Sequence, residues 1–571
     1  MIMHVVSRVA GLLAVGFGVL ASTVAGCADG GSGRAPDAGP GGDGIDSGGG
    51  NGQIDAGRDD QPDAWSGDAG ELLPQRCNPD YAFFEDEFGR QAYCIYVATT
   101  GSDETGEGTA DAPYATITHG IEVAVARGAA TGRVHAVAVS KGTYRERVTI
   151  ENGTSVYGQF DAEDRWSRDD ANETIIESAT VEGDRVEGVV AIGVSAPTVF
   201  EGFTIVAGPA PAESRNVDVY GVRVADSTPV LPELGGLVLR ELRVEAGAGS
   251  PGDDGLAGTD GDDGVQGGRG TDGTKANGNP QPGGLGAVTI CGGITLDRTR
   301  GGDGGSGGGD DLAGCGTGPD DAQSGGSPPS LTSCGGGTAG DSCSCAAPVD
   351  HDGDPGGQGS ACATEPAANG DAASAPTVRG SVVDGAWAPR AGFAGNDGAA
   401  GVGGSGGGGG GSGCDAIGYG RTGGGGGGGG SGGCGGLGGG GGRAGGSSFA
   451  LFVSGSAIAV PGCSFTSGDG AAGGAGAAGG LGGDAGAGGE AGAGGHAGGA
   501  GGPGQAGGIG GSGAGGPGGS SIAALLCESD VDGLDLGELE EGAAGAAGAA
   551  PARGVAGIAG VAARVFDGCE L

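Results

Sequence analysis

Only a few residues in this chain could do chemistry, and their spacing excludes more than it suggests. Four histidines follow the first few residues: His119, His135, His351 and His496. None stands in an HExxH pattern, and no glycine run continues into the Gly-Lys-Ser/Thr of a phosphate-binding loop between a strand and a helix. No nucleophile elbow is present, and no Ser/His/Asp set is singled out by its surroundings. The "CSC" at 343–345 with His351 nearby matches no closed zinc spacing, so disulfides are the expectation there. The richest constellation is charged: Asp218, Asp226, Glu241 and Glu245 alternate with Arg223, Arg240 and Arg243. A polysaccharide lyase needs carboxylates for calcium and a base to take a proton, and a glycoside hydrolase needs two carboxylates at a set separation. Arg223, Arg240, Asp226 and Glu241 are therefore the candidate groove residues, with Arg223 and Arg240 expected on one groove. No metal site and no cofactor are expected; weak calcium association with the acidic Asp-Gly tracts is the one exception, and neither an EF-hand loop nor a G-G-x-G-x-D repeat occurs to make it more than weak.

The elements around these residues are short. Ile95 to Ala98 reads as a strand, and Pro113 opens an amphipathic helix with Ile117, Ile121, Ala124 and Val125 at helical spacing, stopping near Gly128. "VHAVAV", "ERVTI" and "TSVYGQF" follow as strands. From "TIIES" to "GAVTICGGITLDRT" only three-to-seven-residue β-branched runs remain, bounded by Gly, Asn, Asp or Pro. Such strands cannot bury a face alone, but stacked as coils they cover one another. "FALFVSGSAIAVPGCSFTSGDG", from Phe449, repeats the plan of "VYGVRVADSTPVLPELGGLVLRELRVEAG" and is read as a returning coil.

"IYVATTGSDETGEGTADAPYATITHGIEVA", then "VAVSKGTYRERVTIENGTSVYGQF" and "RW", resembles the opening of right-handed parallel β-helix proteins of the pectin-lyase-like superfamily. More narrowly it resembles cell-surface lipoproteins with Gly-rich, PGRS-like repeats of the kind found in myxobacteria. The matching residues are Gly101-Ser102-Asp103, Gly108-Thr109, Ala112-Pro113-Tyr114, Thr116-Ile117, and Gly142-Thr143-Tyr144 with Glu146; Gln159 departs from the pattern. The resemblance implies an all-β fold: a right-handed parallel β-helix with an N-terminal capping helix and long Gly-rich insertions.

The ends fix an address. Arg8 precedes an apolar run that closes in Val24-Ala25-Gly26-Cys27, which resembles the lipobox of bacterial lipoproteins, with Cys27 as the lipid attachment residue. Ala28 then favours the outer membrane or cell surface. From there to Leu73 almost no aliphatics occur, as in a disordered acidic tether. The chain has 71 acidic and 27 basic residues, net -44, which argues against nucleic acid as a partner. Of 14 cysteines, Cys77 and Cys94 are plausible partners, and Cys527 and Cys569 are the candidates to close a C-terminal element with alanine-driven helical character.

Glycine contributes 150 residues. It falls at every third position from Gly252 to Gly273, from Gly470 to Gly482, and from Gly486 to Gly519. Too little proline accompanies it for collagen. Flexible linker and bundled threefold extended helices both remain open. The expected organisation is 1–26 signal peptide, 27–74 tether, 75–300 β-helix, 301–446 Cys/Gly-rich insertion, 447–469 returning coil, 470–520 Gly-x-x tract and 521–571 C-terminal cap. The functional expectation is a noncatalytic, lipid-anchored surface protein: an adhesin, a glycan-binding module or an envelope spacer. Its partners would be the membrane, through the lipid, and extracellular glycans or surface proteins. The alternative is a polysaccharide lyase or glycoside hydrolase acting on extracellular acidic glycans.

Overall fold

A computed structural model describes residues 76–571 except 230–234, 275–278, 310–320, 330, 332–333, 342–352, 415–419 and 495. All of these belong to the unit Gly70–Leu571. The expectations for Cys27, the tether, Cys315, Cys343, Cys345 and His351 lie outside the described residues.

The fold is almost entirely β. Short strands add side by side, mostly parallel, and build three stacks. The first holds Gln91–Val97, Val134–Ser140, Val156–Asp161, the first halves of Thr198–Ala207 and Leu237–Ala246, then Ala457–Ala459 and Asp530–Asp532. The second holds Gly142–Tyr144, Thr174–Ser178, the second halves of those two long strands, Ser464–Ser467 and Leu539–Glu540. The third runs Val148–Ile150, Arg185–Ile192, Asp218–Ala225, Ser448–Ser454, Ser521–Cys527 and Ala562–Asp567. Between them lies one apolar core that includes Val137, Val189, Phe200, Val222, Leu239, Leu451, Phe465 and Ala524.

Thr198–Ala207 and Leu237–Ala246 serve two stacks because each turns in mid-course. Gly202 (φ 80°) and Glu241 (φ 51°) hold the left-handed conformation there, in line with Gln159 on one side and Gly462 on the other. A second row of left-handed residues, Gly193, Asp226, Gly455 and Glu528, ends the third-stack strands. Just past it, the hydroxyls of Ser227, Ser456 and Ser529 each donate to the carbonyl two residues back. Each also accepts the amide of the preceding coil, from Val194, Ser227 and Ser456 respectively. Every turn of the chain there is satisfied by its neighbour.

The single α-helix among the described residues is Ile117–Thr131. It buries Ile117, Gly120, Ile121 and Ala124 against the same core, while Val125 is exposed. Carboxylates settle its start: Glu146 accepts the amides of Ile117 and Thr118, and Asp103 accepts those of Ala115 and Thr116. The helix runs past Gly128, where the sequence suggested a stop. Gly132 supplies the left-handed C-cap instead, its amide donating to the Gly128 carbonyl.

The glycine tracts form an ordered array. Segment 423–446 runs through its centre. Its amides donate at three-residue steps to 496–517 (Gly427 to Gly499, Gly430 to Gly502), to 256–271 (Gly428 to Gly268) and to 299–308 (Gly426 to Gly305). Its carbonyls receive amides from 474–492, from 392–410 and from Gly284 and Ala287. Six stretches of chain therefore surround one. The outer stretches also bond to each other, as in Gly255 to Ala475, Gly258 to Ala478 and Gly302 to Gly404. The acids of the Asp-Gly triplets take part: Asp254, Asp260, Asp263 and Asp272 accept the amides of Ala475, Leu481, Asp484 and Ala493 at 2.7–2.8 Å.

The C-terminal region departs from expectation. Its alanines form no α-helix; Ser521–Cys527, Asp530–Asp532 and Ala562–Asp567 extend the stacks. Gly545, Gly548, Gly557 and Gly560 recur at three-residue steps, and their amides join the array, which outweighs alanine's helix propensity. The described disulfides are Cys77–Cys94, Cys291–Cys434, Cys334–Cys362 and Cys527–Cys569. Cys463 is a buried free thiol.

A side chain at Gly430 would drive its Cβ into the carbonyls of Gly486 and Ala487, which are rigid backbone. Gly430→Ala is expected to cost about 3 kcal/mol, at the upper end of overpacking effects. Leu437→Ala, at an exposed position of the same segment, should change stability by less than about 0.5 kcal/mol. Thermal unfolding checks the pair, and equal shifts would contradict the packing argument.

Candidate functional site

The four candidate groove residues do not meet. Arg223 lies in the third stack and Arg240 in the first-stack half of Leu237–Ala246, so they do not share a groove. Asp226 and Glu241 sit at the two left-handed rows. The arginines are also engaged. Arg223 is buried, its Nε 2.6 Å from Glu187 Oε1, and Nη1 donates to the Gly385 carbonyl. It thereby holds the hairpin Gly380–Val383 and Ala386–Pro389, whose Trp387 amide donates to the Tyr220 hydroxyl.

Arg240 belongs to a network around Glu201, a carboxylate with only 2% of its side chain exposed. Arg76 Nη1 and Arg168 Nη1 each stand 2.7 Å from it, and Arg240 Nη1 stands 3.0 Å away. Glu87 adds longer contacts to Arg76 and Arg240 and accepts the Tyr157 hydroxyl. The Arg76 guanidinium lies over the Tyr157 ring, 4.7 Å from its centroid. Burial opposes ionisation of Glu201, but Arg168 and Arg76 outweigh it and hold the carboxyl below its usual range. Glu241 moves the other way, raised by desolvation and then by the charge of Glu201. This network clamps the 76–90 segment onto the first stack, assisted by the Cys77–Cys94 disulfide. Its charges are spent inside the molecule.

Beside the clamp opens a cleft of about 830 Å³. Aromatic rings wall it: Tyr81, Phe83, Phe84, Tyr96 and Trp166. Tyr96 and Trp166 meet edge to face at 4.6 Å, and both polar ends are satisfied, Tyr96 Oη donating to the Cys77 carbonyl and Trp166 Nε1 to that of Ala110. Tyr81 is 71% exposed. Arg127 and Arg165 supply cations, and Asp80, Asp111 and Glu163 carboxylates. Arg165 (φ 49°) and Trp166 (φ 58°) are consecutive non-glycine residues in the left-handed region, an arrangement that costs energy and that the Val156–Asp161/Ser167–Arg168 hairpin sustains. Arg165 and Trp166 are the "RW" of the sequence resemblance; Tyr81, Phe83 and Arg127 carried no signal of their own.

The histidines are placed as packing residues, His119 against Tyr114 and His135 near Tyr93. Among the described residues no group of three or more His, Cys, Asp or Glu is arranged to hold a metal ion. No helix among them is long and apolar enough to cross a membrane.

Two buried carboxylates lead to opposite expectations. Removing the negative partner of Arg168, itself 2% exposed, leaves a buried charge unpaired, so Glu201→Gln should cost about 3–5 kcal/mol at neutral pH. Asp218, fully buried, accepts the Ser447 amide, and desolvation pushes its pKa up to about 8. Between its ordinary value of 3.8 and about 8 the folded chain binds the extra proton, so this residue's contribution to stability falls as pH rises through that window. Asp218→Asn should therefore raise the melting temperature at pH 9 more than at pH 4.5. A shift equal at both pH values would show that Asp218 is ionised throughout.

No family model matches the sequence, and no curated protein matches it. Among solved structures, a pectin methylesterase, PemA from Erwinia chrysanthemi, is similar at 14% identity and TM-score 0.18, over 28% of this chain and 46% of that one. A GH136 lacto-N-biosidase from Eubacterium ramulus is similar at 12% identity and TM-score 0.19, over 27% of each chain. A pectin methylesterase in complex with a hexasaccharide is similar at 13% identity and TM-score 0.17, over 28% of this chain and 46% of that one. The chain thus spans less than half the length of each, and the likeness is a weak one to all-β folds of the pectin-lyase-like kind. TM-scores this low carry no argument about chemistry here. All three are named as enzymes, and the expectation of a noncatalytic adhesin, glycan-binding module or spacer is replaced by the catalytic alternative, whose argument rests on the cleft and not on these likenesses.

Proposed function

We propose that this chain is a glycan-acting enzyme, a polysaccharide lyase or glycoside hydrolase working on extracellular acidic glycans, with the Trp166 cleft as its sugar-binding site. The observation that carries this reading is the cleft itself. The exposed rings of Tyr81 and Phe83, beside the lining charges and backed by buried Tyr96 and Trp166, suit a sugar, whose ring has an apolar face and a polar edge. In a chain of net charge -44, Arg127 and Arg165 are the groups that would hold a substrate carboxylate. Asp80, Asp111 and Glu163 would supply the proton transfers, as base for a lyase or as an acid and its partner for a hydrolase.

The finer architecture belongs to the same proposal. The three parallel stacks support a right-handed parallel β-helix, with Ile117–Thr131 covering one end of its core. The three-residue hydrogen-bond step supports threefold extended helices in the glycine array. Attachment through a lipid on Cys27, to the outer membrane or cell surface, would place the cleft among extracellular glycans. Mass spectrometry of the mature N-terminus tests that attachment.

Incubating the purified chain with polygalacturonate and with a neutral glucan should release reducing ends or unsaturated products from the acidic polymer. Tyr81→Ala, at an exposed position, should lower that activity about tenfold with no change in melting temperature, and Arg165→Ala should raise KM more than it lowers kcat. Absence of both cleavage and saturable glycan binding would overturn the proposal.

A further inference from the structure

The central glycine segment is enclosed over only part of its length. Its amides at 426, 429 and 432 donate to Gly305, Gly302 and Thr299. The same column continues at three-residue steps through 435, 438 and 441, beyond the end of that partner. The Gly438 amide is taken by the Asp397 carboxylate at 2.8 Å, and those of Gly435 and Gly441 meet no acceptor among the described residues. The neighbouring carbonyl column behaves alike. Gly426 and Gly429 accept from Gly284 and Ala287, while the carbonyls of Gly435, Gly438 and Gly441 receive no donor among the described residues.

Among the described residues an open channel results, and its lining follows from the three-residue phase. A Cβ on Gly268 would meet Leu285, 2.8 Å from its amide nitrogen, so Val265, Asp262, Thr259 and Leu256, in the same phase, point into the continuation of that position. Leu256 is 84% exposed and Val265 51% exposed. Leu437 shares its phase with Gly428, whose Cβ would also meet Leu285, and it lies 48% exposed on the channel floor. Asp397 shares the phase of Gly403 and Gly406, which face Arg300 and Asp303, and stands on the opposite wall. The Cys291–Cys434 disulfide closes one end through the hairpin of Ile290–Cys291 and Ile294–Thr295.

We propose that this channel binds an extended Gly-x-x segment of another polypeptide. The unpaired carbonyls of Gly435, Gly438 and Gly441 recur every three residues, which only a chain of the same repeat can meet along its length. Where Gly284 occupies the same column, a Cβ on it would strike the Gly268 carbonyl, so close packing of the guest against the 256–265 wall calls for glycine there. The exposed leucines favour small apolar spacers. From 435 to 443 the channel would take about nine residues, roughly 28 Å at the rise of such a helix. Main-chain hydrogen bonds would supply affinity and the glycine requirement specificity, as when a strand adds to a sheet edge.

Fluorescence anisotropy with the full mature chain and a labelled peptide of four Gly-Ala-Ala triplets tests this. Saturable binding is expected, lost when the peptide glycines become alanine. Leu437→Asp and Leu256→Asp, both at exposed positions, should weaken it at least tenfold with no change in melting temperature. No binding, equal binding of the alanine peptide, or indifference to both variants would overturn the proposal. So would a dimer in sedimentation equilibrium that Leu437→Asp disperses while the peptide fails to bind, since the channel would then belong to a second copy.

Discussion

The glycine array depends on one constraint: backbone segments approach so closely that no Cβ fits between them. Glycine density then counts neighbours. An outer stretch such as 252–273 meets the centre on one face and carries glycine at every third residue. Segment 423–430 is surrounded, and all eight residues are glycine. Where the enclosure lapses, Leu437 and Arg443 appear, and both are exposed. The tract 403–411 has outer stretches beyond it as well, reaching Thr338 and Asp341, and it is correspondingly almost pure glycine. Ordering glycine costs more backbone entropy than ordering any other residue. With no side chains to bury, the offset must come from dense main-chain hydrogen bonding and close packing, and the array supplies both.

That array is held at its ends by the stacks. Three excursions leave after the second-stack strands ending at Ala246, Ser467 and Glu540, and rejoin third-stack strands at Ser448, Ser521 and Ala562. All three use the same corner of successive coils, so their first and last triplets start in lateral register. Serines secure the junction: Ser250, Ser447 and Ser520 accept the amides of Val217, Ser520 and Val561, and Asp218 accepts that of Ser447. The strand pairing of Asp218–Ala225 with Ser448–Ser454, more than two hundred residues apart, is thus also the frame of the glycine array.

How much of this was legible follows from where the information lies. The helix could be read from Ile117, Ile121 and Ala124, and the Cys77 to Cys94 pairing from proximity to the first strands, because those signals are local. Glu241 was misjudged for a physical reason: a left-handed residue inside an unbroken β-branched run looks like strand, yet it sends the two halves of Leu237–Ala246 to different stacks. Arg223 and Arg240 were expected on one groove, but the left-handed corner at Asp226 ends the strand of Arg223 and sends the next strand, which carries Arg240, to another stack. Period-three glycine could not separate linker from array, since the deciding partners lie about 70 to 220 positions away, as with Gly430 and Gly502 or Gly255 and Ala475. The cleft was hidden because Tyr81 and Phe83 come from an irregular segment with no periodicity.

The clamp around Glu201 decides where a ligand can be sought. Three guanidiniums on one buried carboxylate resemble an anion site when read as a list of charges. With Glu201 ionised and Glu87 beside it, Arg76 and Arg168 have little left to offer, and neither is open to solvent. Desolvating such a cluster costs more than a surface ion pair returns, and what it secures is geometry: it fixes the 76–90 segment across the first stack. The same segment carries Tyr81, Phe83 and Phe84 to the edge of the cleft that buried Trp166, held in its left-handed turn, backs. The buried charges therefore serve the cleft at one remove. They hold one aromatic wall against the other, and the recognition itself falls to the residues that remain exposed.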